Sequence, residues 1–153
     1  MARKVLLDLD TGIDDSMAIC EALANPAFDL VGITGVFGNV SVDQGVRNAL
    51  AVLHLLGRDD VPVWAGARHP LLWDGDGDFL PPRNIMDIHG ENGVGNVELP
   101  DSPRAAEEKG AVDAIVRLCR ECGGDLDIVA TGPLTNLALV LERDPGALGL
   151  AGS

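Results

Sequence analysis

Apolar residues along the chain fall into short runs that switch between two periods. Residues 4–9, KVLLDL, are apolar but for Lys4 and Asp8, the pattern of a short strand buried on both faces. DDSMAICEALANP (14–26) follows with helical spacing, Asp14 or Asp15 at its acidic N-terminus and Pro26 just past its end. DLVGITGVFG (29–38) is β-branched and apolar, a second strand. Ser41 caps a predicted helix over 42–56, where Val46, Ala49, Leu50, Leu53 and Leu56 form one face and Gly57 stops the run. VPVWAG (61–66) predicts a third strand. Ser102-Pro103 opens a helix expected to run to Cys122, LDIVA (126–130) is a fourth strand, and LTNLALVLERDP (134–145) a final helix. Residues 66–101 show no clear period and many Gly, Pro and Asp residues; a stretch this long inside a compact domain is usually functional or mobile.

Strand and helix thus alternate four times, with helices long enough to act as crossovers. The order predicts an α/β fold: a mainly parallel sheet with flanking helices, in one domain over 1–153. Ligands of such sheets bind beyond the carboxyl ends of the strands. The acid cluster at 8–15, VFGNV (36–40) and ATGPLTN (130–136) all fall at such ends, so three segments from separate strands converge on one rim.

Composition narrows the chemistry. The 153 residues are 46% apolar, enough to bury a core, but only 3% aromatic with no Tyr, so the core is aliphatic. A net charge of −13 disfavours nucleic acid or an anionic membrane as partner and suits a protein that holds a cation. Arg3-Lys4 is followed by only three apolar residues before Asp8, and no run approaches the ~20 residues of a membrane span. A cytoplasmic protein is expected. The three cysteines, Cys20, Cys119 and Cys122, argue against a disulfide framework. Cys119 and Cys122 have half-site spacing, but lie in a helical pattern without a second pair, and read as inert helix residues.

Asp8 and Asp10 share a face at a strand end, and Asp14 and Asp15 begin the next helix across a Thr11-Gly12-Ile13 turn. A helix N-terminus favours one negative charge by roughly 0.3–1 kcal/mol; four acids exceed that need. Hard oxygen ligands on a tight turn suit Ca²⁺ or Mg²⁺, and the lack of His or Cys among them disfavours zinc. The alternative is capping plus solvated turn acids. Asn39 taken alone reads first as a turn residue, and His89, in DIHGENGVG, as a solvated loop histidine. ATGPLTN offers carbonyls to a metal or simply a Gly-Pro turn, with Asn136 an exposed, capping or ligating residue. His54 reads as structural, and His69 has no visible partner. The GxxxxGK[ST], GxGxxG and G-x-S-x-G motifs are all missing.

DLDTGIDDSMA (8–18) resembles the N-terminal signature, DxDxGxDD, of the inosine-uridine preferring nucleoside hydrolases. GITGVFGNVSVDQGVRNALAVLHLLGRDDVPVWAGARHPL (32–71) looks like the family's next segment, IHGENGVGN (88–96) its HGxxGxG loop and ATGPLTNLAL (130–139) its TGPLTN motif. The resemblance implies a Rossmann-like nucleoside hydrolase core that lacks the family's C-terminal half. It also implies cleavage of the N-glycosidic bond of ribonucleosides by water, Ca²⁺ as cofactor, a role in nucleoside salvage, and assembly into dimers or tetramers. Carried over by motif, Asp10 and Asp15 bind calcium through carboxylates and Thr131 through its carbonyl. Asp10 also takes the proton of the attacking water, Asp14 holds a ribose hydroxyl, Asn39 lines the ribose pocket, His89 lies near the base, and Asp8 braces the turn. Family members are about twice this length, and their late His-Asp pair has no counterpart in 1–153. Three ligand sources then serve an ion that takes six to eight oxygens, and one sheet edge is uncovered. Two other readings are a non-catalytic metal- or nucleoside-binding remnant and a haloacid dehalogenase-type phosphatase. Against the phosphatase, the order here is Asp-Thr-Gly rather than Asp-Gly-Thr.

Overall fold

The first apolar run becomes β1 (Arg3–Leu9), an inner strand of the sheet in the computed structural model, which describes residues 2–152. β2 (Phe28–Gly35) pairs with one side of β1 and β4 (Leu126–Ala130) with the other, and β3 (Val63–Ala65) lies beyond β2. All pairings are parallel and the spatial order is β3-β2-β1-β4. The strands are joined by α1 (Ile13–Ala24), α2 (Val42–Leu55), α3 (Arg83–His89) and α4 (Ala111–Cys122), with α5 (Thr135–Arg143) after β4.

Alternation along β1 divides the core into two layers. Val5, Leu7 and Leu9 join Ile19 of α1 and Ala49, Leu50 and Leu53 of α2 on one face. Leu6 joins Ile115 and Leu118 of α4 and Val140 of α5 on the other. A strand's side chains repeat every second residue, so Asp8 shares the face of Leu6 and meets α5. Its position at the carboxyl end of β1 places it beneath the rim.

The boundaries of β1, α1, α2, β4 and α5 follow the hydrophobic pattern to within a few residues, and Ser41 caps α2 by accepting from the Gln44 N–H at 3.4 Å. Three expectations need correction. β2 ends at Gly35, so residues 36–38 leave the strand as the Phe37 N–H turns to Ala67 O at 3.1 Å. The helix expected from Ser102 begins only at Ala111, behind a Gly110 N-cap. The preceding stretch is drawn past β3 instead, its Glu107 N–H donating to Val63 O at 2.8 Å. The aperiodic region 66–101 contains α3, whose seven residues include no buried side chain and are too few for a helical period to stand out.

All three cysteines are free, and burial pushes the Cys119 thiol above its ordinary range, the reverse of a reactive thiolate. Among the described residues β4 pairs only with β1, and Val129 near its end is 44% exposed, in line with the expected uncovered sheet edge. No helix among the described residues is long and apolar enough to cross a membrane.

Candidate functional site

The acidic turn is assembled by contacts that reach across the whole chain. Gly12 is the N-cap of α1, and its N–H donates to Asp15 Oδ2 at 2.9 Å. The other Asp15 oxygen accepts from Thr131 Oγ1 at 2.6 Å, joining the start of α1 to the segment after β4. Asp10 Oδ2 accepts the Asn39 N–H at 2.8 Å. Two glycines allow the neighbouring loops to close on Asp10: a methyl at Gly132 would lie 3.1 Å from its Oδ1, and one at Gly38 would overlap its carboxylate. Asp10 and Asp15 are 7% and 2% exposed, and no basic side chain among the described residues pairs with either. Burial pushes the Asp10 carboxyl up to about 6; the Asn39 N–H opposes the rise, and the charge of Asp15 adds to it.

Asp8 sits behind this pair, fully buried. Its Oδ1 accepts from Thr34 Oγ1 at 2.6 Å and from Asn136 Nδ2 at 2.8 Å, while its Oδ2 has no hydrogen-bond partner among the described residues. Burial raises its pKa against those two hydrogen bonds. Asn136 is therefore neither exposed nor a cap. It also donates to Gly35 O at 3.0 Å and accepts the Ala67 N–H at 2.8 Å, so one amide links the ends of β1 and β2 with the segment after β3. Its place in the first turn of α5, directly after a strand end, is the sequence signal that pointed to it.

His89 closes α3 rather than lying in a loop, and its Nδ1 accepts the Ile13 N–H at 3.3 Å. Asp14 Oδ1 is 3.8 Å from the same nitrogen, and the Asp14 side chain is 75% exposed. A methyl at Gly12 would come within 2.6 Å of His89 Nδ1 and 2.7 Å of Asn39 Nδ2. Asp10, Asp14, Asp15, Asn39, His89 and Thr131 thus gather around the turn over 10–15. His54 and His69 do not: His54 pairs with Asp59 at 3.0 Å, and His69 stacks on Trp73.

Asn48, which the sequence reading passed over, is 3% exposed on α2. Its Nδ2 donates to Thr11 O at 3.1 Å and to Asn92 O at 2.8 Å, and its Oδ1 accepts from Gln44 Nε2 at 2.8 Å. An amide followed directly by the apolar Ala49, Leu50, Ala51 and Val52 was the available signal.

Asp10, Asp15 and Thr131 offer oxygens only, which suits a hard divalent cation and not zinc. Two neighbouring buried carboxylates without a basic partner fit such an ion in kind. They fall short in number: among the described residues no three His, Cys, Asp or Glu side chains are grouped to hold a metal.

The family model described as inosine-uridine preferring nucleoside hydrolase matches residues 5–152. Uridine nucleosidase 1 of Arabidopsis thaliana is 44% identical over 142 residues, which are 93% of this chain and 40% of that protein. The pyrimidine-specific ribonucleoside hydrolase RihA of Citrobacter koseri is 42% identical over 95% of this chain and 44% of its own length. Among solved structures, a purine-preferring ribonucleoside hydrolase from Gardnerella vaginalis superposes with a TM-score of 0.94 at 47% identity. That superposition covers 98% of this chain and 46% of the other. The chain spans less than half the length of these relatives. Its family suggests a metal cofactor, in line with the oxygen donors at the rim. With the family's model matched along almost its whole length, the chain belongs to the inosine-uridine preferring nucleoside hydrolases.

Proposed function

We propose that this chain supplies the cation- and ribose-binding part of a nucleoside N-ribohydrolase, which splits ribonucleosides into ribose and free base, with Ca²⁺ as the bound cation. The observation that carries this reading is the buried Asp10–Asp15 pair beside Thr131, with no basic side chain among the described residues to neutralise it. Asp10, Asp15 and the Thr131 carbonyl would hold the ion. Bound calcium supplies a Lewis acid that lowers the pKa of a water and orients ribose hydroxyls.

The chain's own groups then divide the work. Asp10 accepts a proton from the attacking water as its oxygen bonds to C1′ of the ribose. Asp14, exposed at the mouth, holds a ribose hydroxyl, and the Asn39 amide lines the ribose pocket. As the C1′–N bond breaks, positive charge develops on the ribosyl ring, where the surrounding carboxylates stabilise it. The base leaves with the bonding electron pair and takes up a proton, with His89 on the side of the base. Asp8 braces the turn from behind.

We also propose a cytoplasmic location, a place in nucleoside salvage, and self-association into dimers or tetramers. Exposed Ile13, Met17, Leu55, Leu56 and Val97 along one apolar groove support the association. Sedimentation would test it, and a monomer at all concentrations would remove it. The activity is tested by release of reducing sugar from uridine and inosine with Ca²⁺ present. Cleavage that is lost in Asp10→Ala supports the hydrolase. Nucleoside binding without cleavage makes the chain a binding remnant, and neither binding nor cleavage overturns the reading.

A further inference from the structure

We propose that Asn48 is a positioning residue: it clamps the 90–97 loop against the acidic turn and so fixes the ring of His89 at the rim. The loop does not need Asn48 for its own shape. Asn92 Oδ1 accepts the Val94 and Asn96 N–H groups at 3.0 and 2.9 Å, and its Nδ2 donates to Val97 O at 2.9 Å. The Gly95 N–H returns to His89 O at 2.7 Å, and the Glu91 N–H to Asn96 Oδ1 at 2.8 Å. This braced unit meets the turn through two links: the hydrogen bond from Ile13 N–H to His89 Nδ1, and the bridge in which one Asn48 NH₂ donates to both Thr11 O and Asn92 O.

Burial makes that bridge strong in its consequences. Two carbonyls converge on one amide nitrogen that is almost wholly out of solvent, and a buried carbonyl that loses its donor bears the full desolvation cost. Gly93, at φ +82°, brings the loop close; a Cβ there would lie 3.1 Å from Asn48 Nδ2 and 2.6 Å from a Val40 methyl. Gln44 Nε2, bonded to Asn48 Oδ1, sets which end of the amide faces the two carbonyls. With the loop seated, His89 Nδ1 is an acceptor, so the neutral ring carries its proton on Nε2. The clamp thereby selects the face and tautomer that His89 presents. Its effect on nucleosides rests on the function proposed above, whereas the clamp itself does not.

The test reads the imidazole directly. Side-chain ¹⁵N–¹H correlation spectra at mildly alkaline pH, with His89 assigned by its loss in His89→Gln, should show the Nε2–H tautomer in the wild type. Asn48→Leu and Asn48→Asp, which remove both donated hydrogen bonds, should shift His89 to a tautomer mixture while His54 and His69 stay unchanged. Gln44→Ala, a half-buried change that leaves the core intact, should give a smaller shift of the same kind and decides the matter if the Asn48 variants do not fold. For uridine or inosine, Kd or KM should rise about tenfold, the loss of roughly one good hydrogen bond, with kcat within about threefold. A wild-type His89 signal in folded Asn48→Leu, or in Gln44→Ala where the Asn48 variants fail to fold, overturns the clamp. A shifted His89 signal in a protein that binds no nucleoside upholds the clamp and overturns the nucleoside reading.

Discussion

Replacing Asn136 with alanine deletes an amide that makes three hydrogen bonds while fully buried. Two are to neutral backbone groups, Gly35 O and Ala67 N–H, worth about 1 kcal/mol each. The third reaches the buried Asp8 carboxyl, a bond worth about 1 kcal/mol to the neutral acid and about 1.5–3 kcal/mol to the ionised one. Asp8 already has one oxygen without a partner among the described residues, so loss of Asn136 leaves its carboxylate with Thr34 alone. The expected destabilisation is about 3–5 kcal/mol, a large part of the ~5–15 kcal/mol by which a domain is usually stable. Urea unfolding followed by circular dichroism measures it, with the slope m unchanged if the native fold is kept. Asn96→Ala, on the exposed loop, is the control and should lose less. A change below about 1 kcal/mol for Asn136→Ala, at constant m, would refute the account of Asn136 as the amide that ties three strand ends together.

Calcium should raise the melting temperature, since an ion that binds only the folded state stabilises it by about 2.7 kcal/mol at a hundred times Kd; equal melting curves in calcium and in chelator, or an unchanged shift in Asp15→Ala, would remove the metal site. Gly38→Ala should abolish the calcium shift with little loss of helix content, because its methyl would occupy the space of the Asp10 carboxylate; a retained shift would show that the loop yields. Arg68 joins Asp43 at the start of α2 to Asp78 in the loop. Arg68→Ala should therefore speed proteolysis within 69–81 while changing global stability by under about 1 kcal/mol, as befits exposed pairs. The hydrogen bond from Arg68 holds the Asp43 carboxyl below its usual range. The contribution of this pair is thus present at neutral pH and lost as pH falls through the folded-state value of Asp43. Wild-type loop cleavage should accelerate on acidification, whereas a flat rate would refute the role of the pair.

What could be read from the sequence follows how local each cause is. β1, β4 and α2 were legible because buried runs and helical spacing are local patterns, and the Asp, Asn39 and TGPLTN segments because strand ends in a parallel sheet share a rim. α3 escaped because seven residues without a buried side chain are too short a run for a period to be read. The helix start was misplaced at Ser102 because the Val63 carbonyl that captures Glu107 lies 44 residues earlier in the chain. Asn48 and Asn136 belong to the same class. Their side chains are ordinary amides until the partners converge, and those partners come from the turn before α1, from β1 and β2, and from the loops beyond β3 and α3. The resemblance to a family supplied roles for seven residues, Asp8 as a brace among them, but not the amides Asn48 and Asn136 that hold the turn and the strand ends in place.

The separation of these partners also bears on how the molecule folds. Asp15 meets Thr131 across 116 residues, and Asp8 meets Asn136 across 128. Contacts that distant form only after a long loop has closed, and chains dominated by them fold slowly. The α1–α2 layer on β1 and β2 can take shape from nearer neighbours, whereas the rim waits until β4 has docked on β1. A cation or nucleoside that grips the finished rim would then leave the folding rate nearly untouched and act on the escape rate. Ligand should lengthen the lifetime of the native state without hastening its arrival.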